Sequence, residues 1–286
     1  MLKRPDMPTA LITGGSRGLG SAFANRLAAD GYDLVVVARD HDQLRRAALD
    51  LRARYGIAVE VLPADLTDPV ARRVVEQRLA DARQPIELLV NNAGVHAADE
   101  FASARRDDLQ REIDLNVTAV LHLTHAVLPG MLTRGRGAVI NVASFAGYLS
   151  PRGSAYGSTK AWVLNFTDTI AASTKPHGVR IVALCPGRLG RSSGSVLLLG
   201  TPLRLNRAWV VDTCLADLQR GRTLSVPGWP YRVVVDYLEG ARRTLRLLAR
   251  LIGHGRDQRS QPLCMQPPAG ETLTEEPASS APPEPG

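Results

Sequence analysis

Cysteine is nearly absent from this chain: three residues, Cys185, Cys214 and Cys264, in 286. They are odd in number, far apart and lack metal-ligand spacing. That argues against a disulfide framework and a bound metal, and suits a reducing cytoplasm, the expected location. No run of 18 or more apolar residues occurs, so no membrane-spanning segment is expected. Met1-Leu2-Lys3-Arg4 is a basic start, but no signal-type apolar region follows before the first predicted strand. Aromatic residues make up only 5% of the chain and do not interleave with its arginines. The net charge of +7 therefore comes without any groove-entering motif, and no nucleic-acid partner is expected.

What is present is ordinary globular composition, 44% hydrophobic and 22% charged, over a length that suits one α/β domain. Thr9–Thr13, Leu34–Ala38, Val59–Leu62, Leu88–Val90, Ala138–Ala143 and Ile181–Leu184 read as strands. They are continuous apolar runs rather than alternating ones, as a parallel sheet covered on both faces requires. Between them lie amphipathic segments at Leu19–Ala29, Gln43–Tyr55, Pro69–Arg83, Asp107–Leu132 and Ser154–Lys175. Repeated βα units predict a Rossmann-type α/β fold: a doubly wound, mostly parallel sheet with helices on both faces in one domain.

Thr13-Gly14-Gly15-Ser16-Arg17-Gly18-Leu19-Gly20 follows the first strand and opens the first helix. Glycines permit a tight turn and let backbone N–H groups approach a pyrophosphate, which the helix N-terminus also attracts. The second strand ends in Ala38-Arg39, where an NAD site usually offers a carboxylate. Arg39 and Arg17 suit a 2′-phosphate instead, so NADP(H) is favoured over NAD(H). Asp40 follows directly, but its position suits the N-cap of the next helix.

Tyr156-Gly157-Ser158-Thr159-Lys160 places a phenol and an ammonium on one helix face, one turn apart. Ser144 stands upstream at the end of a predicted strand. Such a set can protonate or deprotonate an alcohol oxygen. Singly, Ser144 could cap a turn and the Tyr/Lys spacing could be a helix surface; the dinucleotide loop gives the catalytic reading its force.

From Thr9 to Gly187 the chain resembles the short-chain dehydrogenase/reductase family, on independent motifs in the family's order. The loop containing Gly14, Ser16, Arg17, Gly18, Leu19 and Gly20 resembles its cofactor loop. Asp65-Leu66 is similar to the pair that contacts adenine, and Asn91-Asn92-Ala93-Gly94 to the segment beside the cofactor. Asn116 resembles the family's helix-kinking asparagine, Ser144, Tyr156 and Lys160 its catalytic residues, and Pro186-Gly187 the turn beside nicotinamide. The resemblance implies that Tyr156 exchanges a proton with the substrate oxygen while Ser144 orients it. It also implies that Lys160 binds the ribose and that Asn116 holds a water linking Lys160 to solvent. A neighbouring ammonium, together with the positively charged nicotinamide of the oxidised cofactor, is expected to lower the tyrosine pKa from about 10. The resemblance further implies a homodimer or homotetramer. One departure is Arg191, where the family commonly has a threonine after Pro-Gly; Ser192 or Ser193 could substitute.

The catalytic domain is expected over 7–229, with 188–207 as a variable, partly apolar substrate lid. Trp209–Arg220 reads as a helix and Thr223–Val226 as a last strand. An amphipathic helix is expected over 230–253 and a Pro/Glu-rich disordered tail over 256–286. His96 stands on a loop that faces either substrate or solvent, and His122 and His125 read as packing or solvent residues. Three functions stay open: an NADPH-dependent reductase of a hydrophobic ketone or aldehyde, an NADP-binding scaffold with little turnover, and a membrane-surface reductase of lipid ketones. The apolar run Val196–Leu199 and the helix over 230–253 motivate the last, although peripheral membrane contact is not favoured.

Overall fold

Strands form where branched apolar residues run together: β1 (Thr9–Thr13), β2 (Asp33–Ala38), β3 (Val59–Pro63), β4 (Leu88–Asn91), β5 (Gly137–Val142) and β6 (Val179–Leu184). The computed structural model describes residues 7–97, 100–149, 154–190, 197–198, 201–202 and 205–240. Two-residue pairings follow: β7 (Leu189–Gly190) with β10 (Leu205–Asn206), and β8 (Leu197–Leu198) with β9 (Thr201–Pro202). The last strand, β11 (Leu224–Ser225), joins the edge of the main sheet beside β6.

The main sheet runs β11-β6-β5-β4-β1-β2-β3, with every pairing parallel. Helices α1 (Gly18–Ala29), α2 (His41–Tyr55), α3 (Pro69–Ala80), α4 (Arg106–Ile113), α5 (Ala119–Arg134), α6 (Tyr156–Thr174) and α7 (Arg207–Gln219) provide the crossovers. Alternate residues of each strand face opposite layers. Ala10 and Ile12 pack with α1, α2 and α7, whereas Leu11 packs with α3 and α5. The edge strand β3 is the exception to two-sided burial, with Glu60 and Pro63 exposed. Strand order reverses between β1 and β4, so the crevice beyond their carboxyl ends is the natural ligand site of such a sheet.

Three differences from the expected boundaries have a local cause. Residues predicted as one helix from Asp107 divide into α4 and α5 around a π-helical turn, Asp114–Thr118. Helix α3 stops at Ala80 because Asp81 leaves helical geometry and its carboxylate accepts from Arg83 N at 3.0 Å. Helix α6 starts at Tyr156, with Ser154 Oγ accepting from Tyr156 N at 3.3 Å. Helix 229–240 begins the segment expected from 230; residues 241–253 and the 256–286 tail lie outside the described residues. The helical stretch Arg106–Arg134 has the length and hydropathy of a membrane span. Its Val120, Leu123, Val127 and Met131 are buried in the core, which accounts for that apolarity.

Candidate active site

Thr13 ties the two central loops together. Its Oγ1 accepts from the N–H groups of Asn92 and Ala93, both at 2.9 Å. Asn92 Nδ2 donates in return to the Thr13 carbonyl at 2.8 Å. Gly14 adopts φ +67°, and a Cβ there would lie 2.8 Å from Asn92 Nδ2. A Cβ on Gly20 would overlap the Gly14 carbonyl oxygen, so only glycine lets α1 start this close to β1. Arg17 occupies the N-cap of α1 without a side-chain capping bond. The first N–H groups of α1 are thus left for an anionic ligand.

Along the crevice, Asp40 caps α2 by accepting from Gln43 N at 2.9 Å, and Ser16 Oγ donates to Gln43 Oε1 at 3.1 Å. That engages Asp40 with its own helix and leaves Arg39 as the charged group at the end of β2. Arg39 is 58% exposed and lies 3.9 Å from Asp65 Oδ2. Asp65 also accepts from Thr67 N, Thr67 Oγ1 and, at 2.8 Å, Arg111. Partial burial pushes the Asp65 carboxyl up, but the Thr67 bonds and then Arg111 and Arg39 outweigh it and hold it below the usual range. A cleft of about 620 Å³ joins Gly14, Ser16, Arg17 and Gly18 to Arg39, Asp65, Leu66, Asn92, Ala93 and Gly94. Leu19 and Gly20 lie behind its floor in buried positions. The cleft residues fit a dinucleotide: uncapped N–H groups, lining arginines and a glycine floor.

The catalytic candidates stand beyond Gly94. A Cβ on Gly94 would lie 3.1 Å from Asn116 Oδ1 and 3.3 Å from Lys160 Nζ, so the cleft and the Tyr/Lys set meet at this glycine. Lys160 is buried; its Nζ donates to the Val142 carbonyl at 2.9 Å and lies 5.7 Å from the centre of the Tyr156 ring. Ser144 Oγ accepts from Ala146 N at 3.2 Å, capping a short 3-10 turn, and its hydroxyl acts on the Tyr156 phenol. On the far side, a Cβ on Gly187 would overlap the ring of Tyr231, which seats the Pro186-Gly187 turn on the helix over 229–240.

Electrostatics of the protein alone run against the lowering expected from Lys160. The Tyr156 phenol is raised, not lowered. Burial is the main cause; the Ser144 hydrogen bond pulls it back, and Glu112 and Cys185 push it up again. Lys160 adds no lowering: burial strips its ammonium near pH 8, before the phenol ionises. Burial brings Lys160 itself down to about 8, with Glu112 acting in the opposite direction. Burial also pushes the Cys185 thiol up to about 12, which leaves it no nucleophilic character.

Asn116 is fully buried within the π turn. Its Oδ1 accepts from Val95 N at 2.9 Å, and its Nδ2 donates to Val95 O at 2.8 Å and Thr159 Oγ1 at 3.1 Å. The side chain therefore fastens the loop after β4 to α6. His96, next along that loop, is exposed to solvent yet packs its ring 5.1 Å from Tyr156, with Nε2 3.1 Å from Ser154 Oγ. Of its two possible neighbours, the site is one. His122 pairs with Glu76 at 3.3 Å and His125 is exposed, as expected. Arg191, Ser192 and Ser193 lie outside the described residues.

Sequence reasoning passed over Arg111, Glu112 and Thr159, and gave Thr13 a place in the cofactor loop without its tie to Asn92 and Ala93. The one available signal was spacing: Glu112 precedes Asn116 by one helical turn, on the same face.

Comparison with known proteins gives a consistent set of likenesses. The family model described as short chain dehydrogenase matches residues 8–193. Ketoacyl reductase HetN of Nostoc sp. is 32% identical over 189 residues, which span 66% of this chain and 66% of that protein. A short-chain dehydrogenase from Sphingobium yanoikuyae, solved in complex with NADPH, superposes with a TM-score of 0.76 at 34% identity, covering 90% of this chain and 99% of that one. The bulky-bulky ketone specific alcohol dehydrogenase from Comamonas testosteroni superposes at 0.77 and 28% identity, covering 92% and 100%.

Proposed function

The chain belongs to the short-chain dehydrogenase family, and on that premise we propose that it is an NADPH-dependent oxidoreductase interconverting a hydrophobic ketone or aldehyde with its alcohol. The observation that carries this reading is the placement of Tyr156 within reach of Ser144 and beneath the buried Lys160 Nζ, beyond a cleft bearing Arg17 and Arg39.

The dinucleotide, when bound along Gly14–Gly20, Arg39, Asp65-Leu66, Asn92–Gly94 and Pro186-Gly187, supplies hydride from its nicotinamide. The protein's own residues handle the proton. Tyr156, kept as a phenol by burial, donates to the substrate oxygen; in oxidation it takes that proton back. Ser144 donates to the same oxygen and steadies the charge that develops there. Lys160, where protonated, stabilises the tyrosinate left behind. Asn116 fixes the loop and α6 with respect to each other, so that Tyr156 and Lys160 face the same volume.

Two features support the substrate class: the apolar residues of 196–199, and the bulky ketones named for the Comamonas relative. We read the protein as a cytoplasmic homodimer or homotetramer. Free, buried Cys185 and Cys214 suit that compartment, and exposed Leu121 and Leu132 on α5 suit subunit contact.

The test is NADPH oxidation followed against a panel of bulky ketones, with Tyr156→Phe alongside. Turnover is expected to fall by about 10²–10⁴-fold while NADPH affinity stays within about twofold. Full activity in the variant would remove Tyr156 from the proton path.

A further inference from the structure

Five charged side chains are buried among the described residues: Asp33, Arg72, Glu112, Lys160 and Asp217. Three have local explanations. Arg72 pairs with Glu76 and donates to Leu66 O. Asp217 pairs with Arg222 at 3.0 Å and accepts from Ser225. Asp33 accepts from Ala58 N where β3 begins. Glu112 and Lys160 remain: one stands a helical turn before Asn116, and the other meets Asn116 at Gly94.

Glu112 is 1% exposed. Its Oε2 accepts from Ala97 N at 2.8 Å, and its Oε1 has no protein hydrogen-bond partner among the described residues. One turn later on the same helical stretch, Asn116 holds both the N–H and the carbonyl of Val95. The two side chains thus clamp the loop on either side of His96, whose ring rests on Tyr156. A buried carboxylate with one oxygen unpaired is costly unless a cation shares the region. The buried cation there is the Lys160 ammonium, which reaches only a neutral carbonyl.

We propose that Glu112 is a positioning residue of this active site, a buried negative charge that acts on Tyr156 and Lys160 while it anchors the loop carrying His96. It acts through Lys160 and the loop, not on substrate. The proposal rests on the reading of Tyr156 as the proton donor. The charged and titratable groups around the phenol are Lys160 from α6, His96 from the loop, Cys185 from the end of β6 and Glu112 from α4. Arg111, beside Glu112, is turned away onto Asp65. The through-space effect of Glu112 has one sign on both partners, raising Tyr156 and Lys160. Removing its charge therefore moves both titrations down in pH.

The experiment is a ¹³C NMR titration of the full chain labelled at the tyrosine ring carbons. One of the six tyrosines is assigned to position 156 by its loss in Tyr156→Phe. Glu112→Gln keeps an acceptor for Ala97 N–H and deletes the charge; the Tyr156 midpoint is expected to fall by about one pH unit. Glu112→Met, of similar size and neutral, should shift it in the same direction should the Gln variant not fold. Glu112→Asp should hold the midpoint near that of the wild type, which a purely structural role would not distinguish from Gln. A midpoint unmoved in a folded neutral variant overturns the proposal. Absence of turnover in the wild-type ketone panel would defeat the reductase reading instead, because the titration needs neither NADPH nor substrate.

Discussion

Replacing Arg39 by alanine separates NADPH from NADH if the crevice works as its charges suggest. The guanidinium is 58% exposed and lies 3.9 Å from Asp65, so it is neither buried nor tightly paired. A hydrogen bond to a charged group contributes about 1.5–3 kcal/mol, and this exposure argues for the lower end. About 1.4 kcal/mol is a tenfold change in Kd. Arg39→Ala should therefore weaken NADPH about tenfold, and the double variant with Arg17→Ala about a hundredfold, if the two contacts are independent. NADH, without the 2′-phosphate, should change by no more than about twofold. Loss of Arg39 leaves Asp65 with Thr67 and with Arg111 at 2.8 Å, so the adenine end of the crevice should keep its shape. Nicotinamide fluorescence gives both constants, and repeating the NADPH titration at high salt should narrow the gap as exposed charges are screened. Equal losses for both cofactors would refute the assignment, because they would mean that Arg39 supports the fold of the crevice and not the 2′-phosphate.

Gly20→Ala forces a methyl group onto the Gly14 carbonyl; a loss of about 1–3 kcal/mol in denaturant melts should accompany loss of NADPH binding. Asn116→Ala strands the N–H and carbonyl of Val95, and a cost of about 1–3 kcal/mol per buried group should appear as a lower Tm. For Lys160, whose pKa in the fold is about 8, the ammonium is present below that value and lost as pH rises through it. The kcat/KM for NADPH should accordingly decline above about pH 8, and a decline beginning only near the free-lysine value of about 10.4 would contradict the burial argument. Linkage gives the stability sign: the folded-state value of about 8 lies below the 10.5 of a free lysine, so the unfolded chain binds more protons in between. Burial of Lys160 therefore weakens the fold fully below pH 8, and the penalty fades as pH rises from about 8 towards 10.5.

The sheet was legible in the sequence because its strands are two-sided apolar runs, and β1, β2, β4, β5 and β6 lie within two residues of their predicted limits. Residues whose role follows from local spacing were equally legible: the glycine turn, the Tyr156/Lys160 face, and Asp40 as a cap. Glu112 was not, since its function depends on what a helix and a distant loop bring together, and a lone glutamate in an amphipathic segment reads as solvent-facing. The Tyr156 shift was missed for a related reason. Spacing places an ammonium nearby but does not show how deeply both groups are buried, and burial raises the phenol while it strips the ammonium near pH 8. His96 stayed ambiguous because a loop has no periodicity from which to read a face.

The contact between Gly187 and Tyr231 has a consequence for anyone who varies this scaffold. A side chain at 187 and an aromatic ring at 231 compete for one volume, so the two positions form a single unit of variation. A library that randomises the nicotinamide-side turn alone will return almost only glycine at 187. Randomising 187 and 231 together opens combinations that neither position reaches by itself, and fusions or truncations that remove the helix over 229–240 will change the active-site turn as well as the end of the chain.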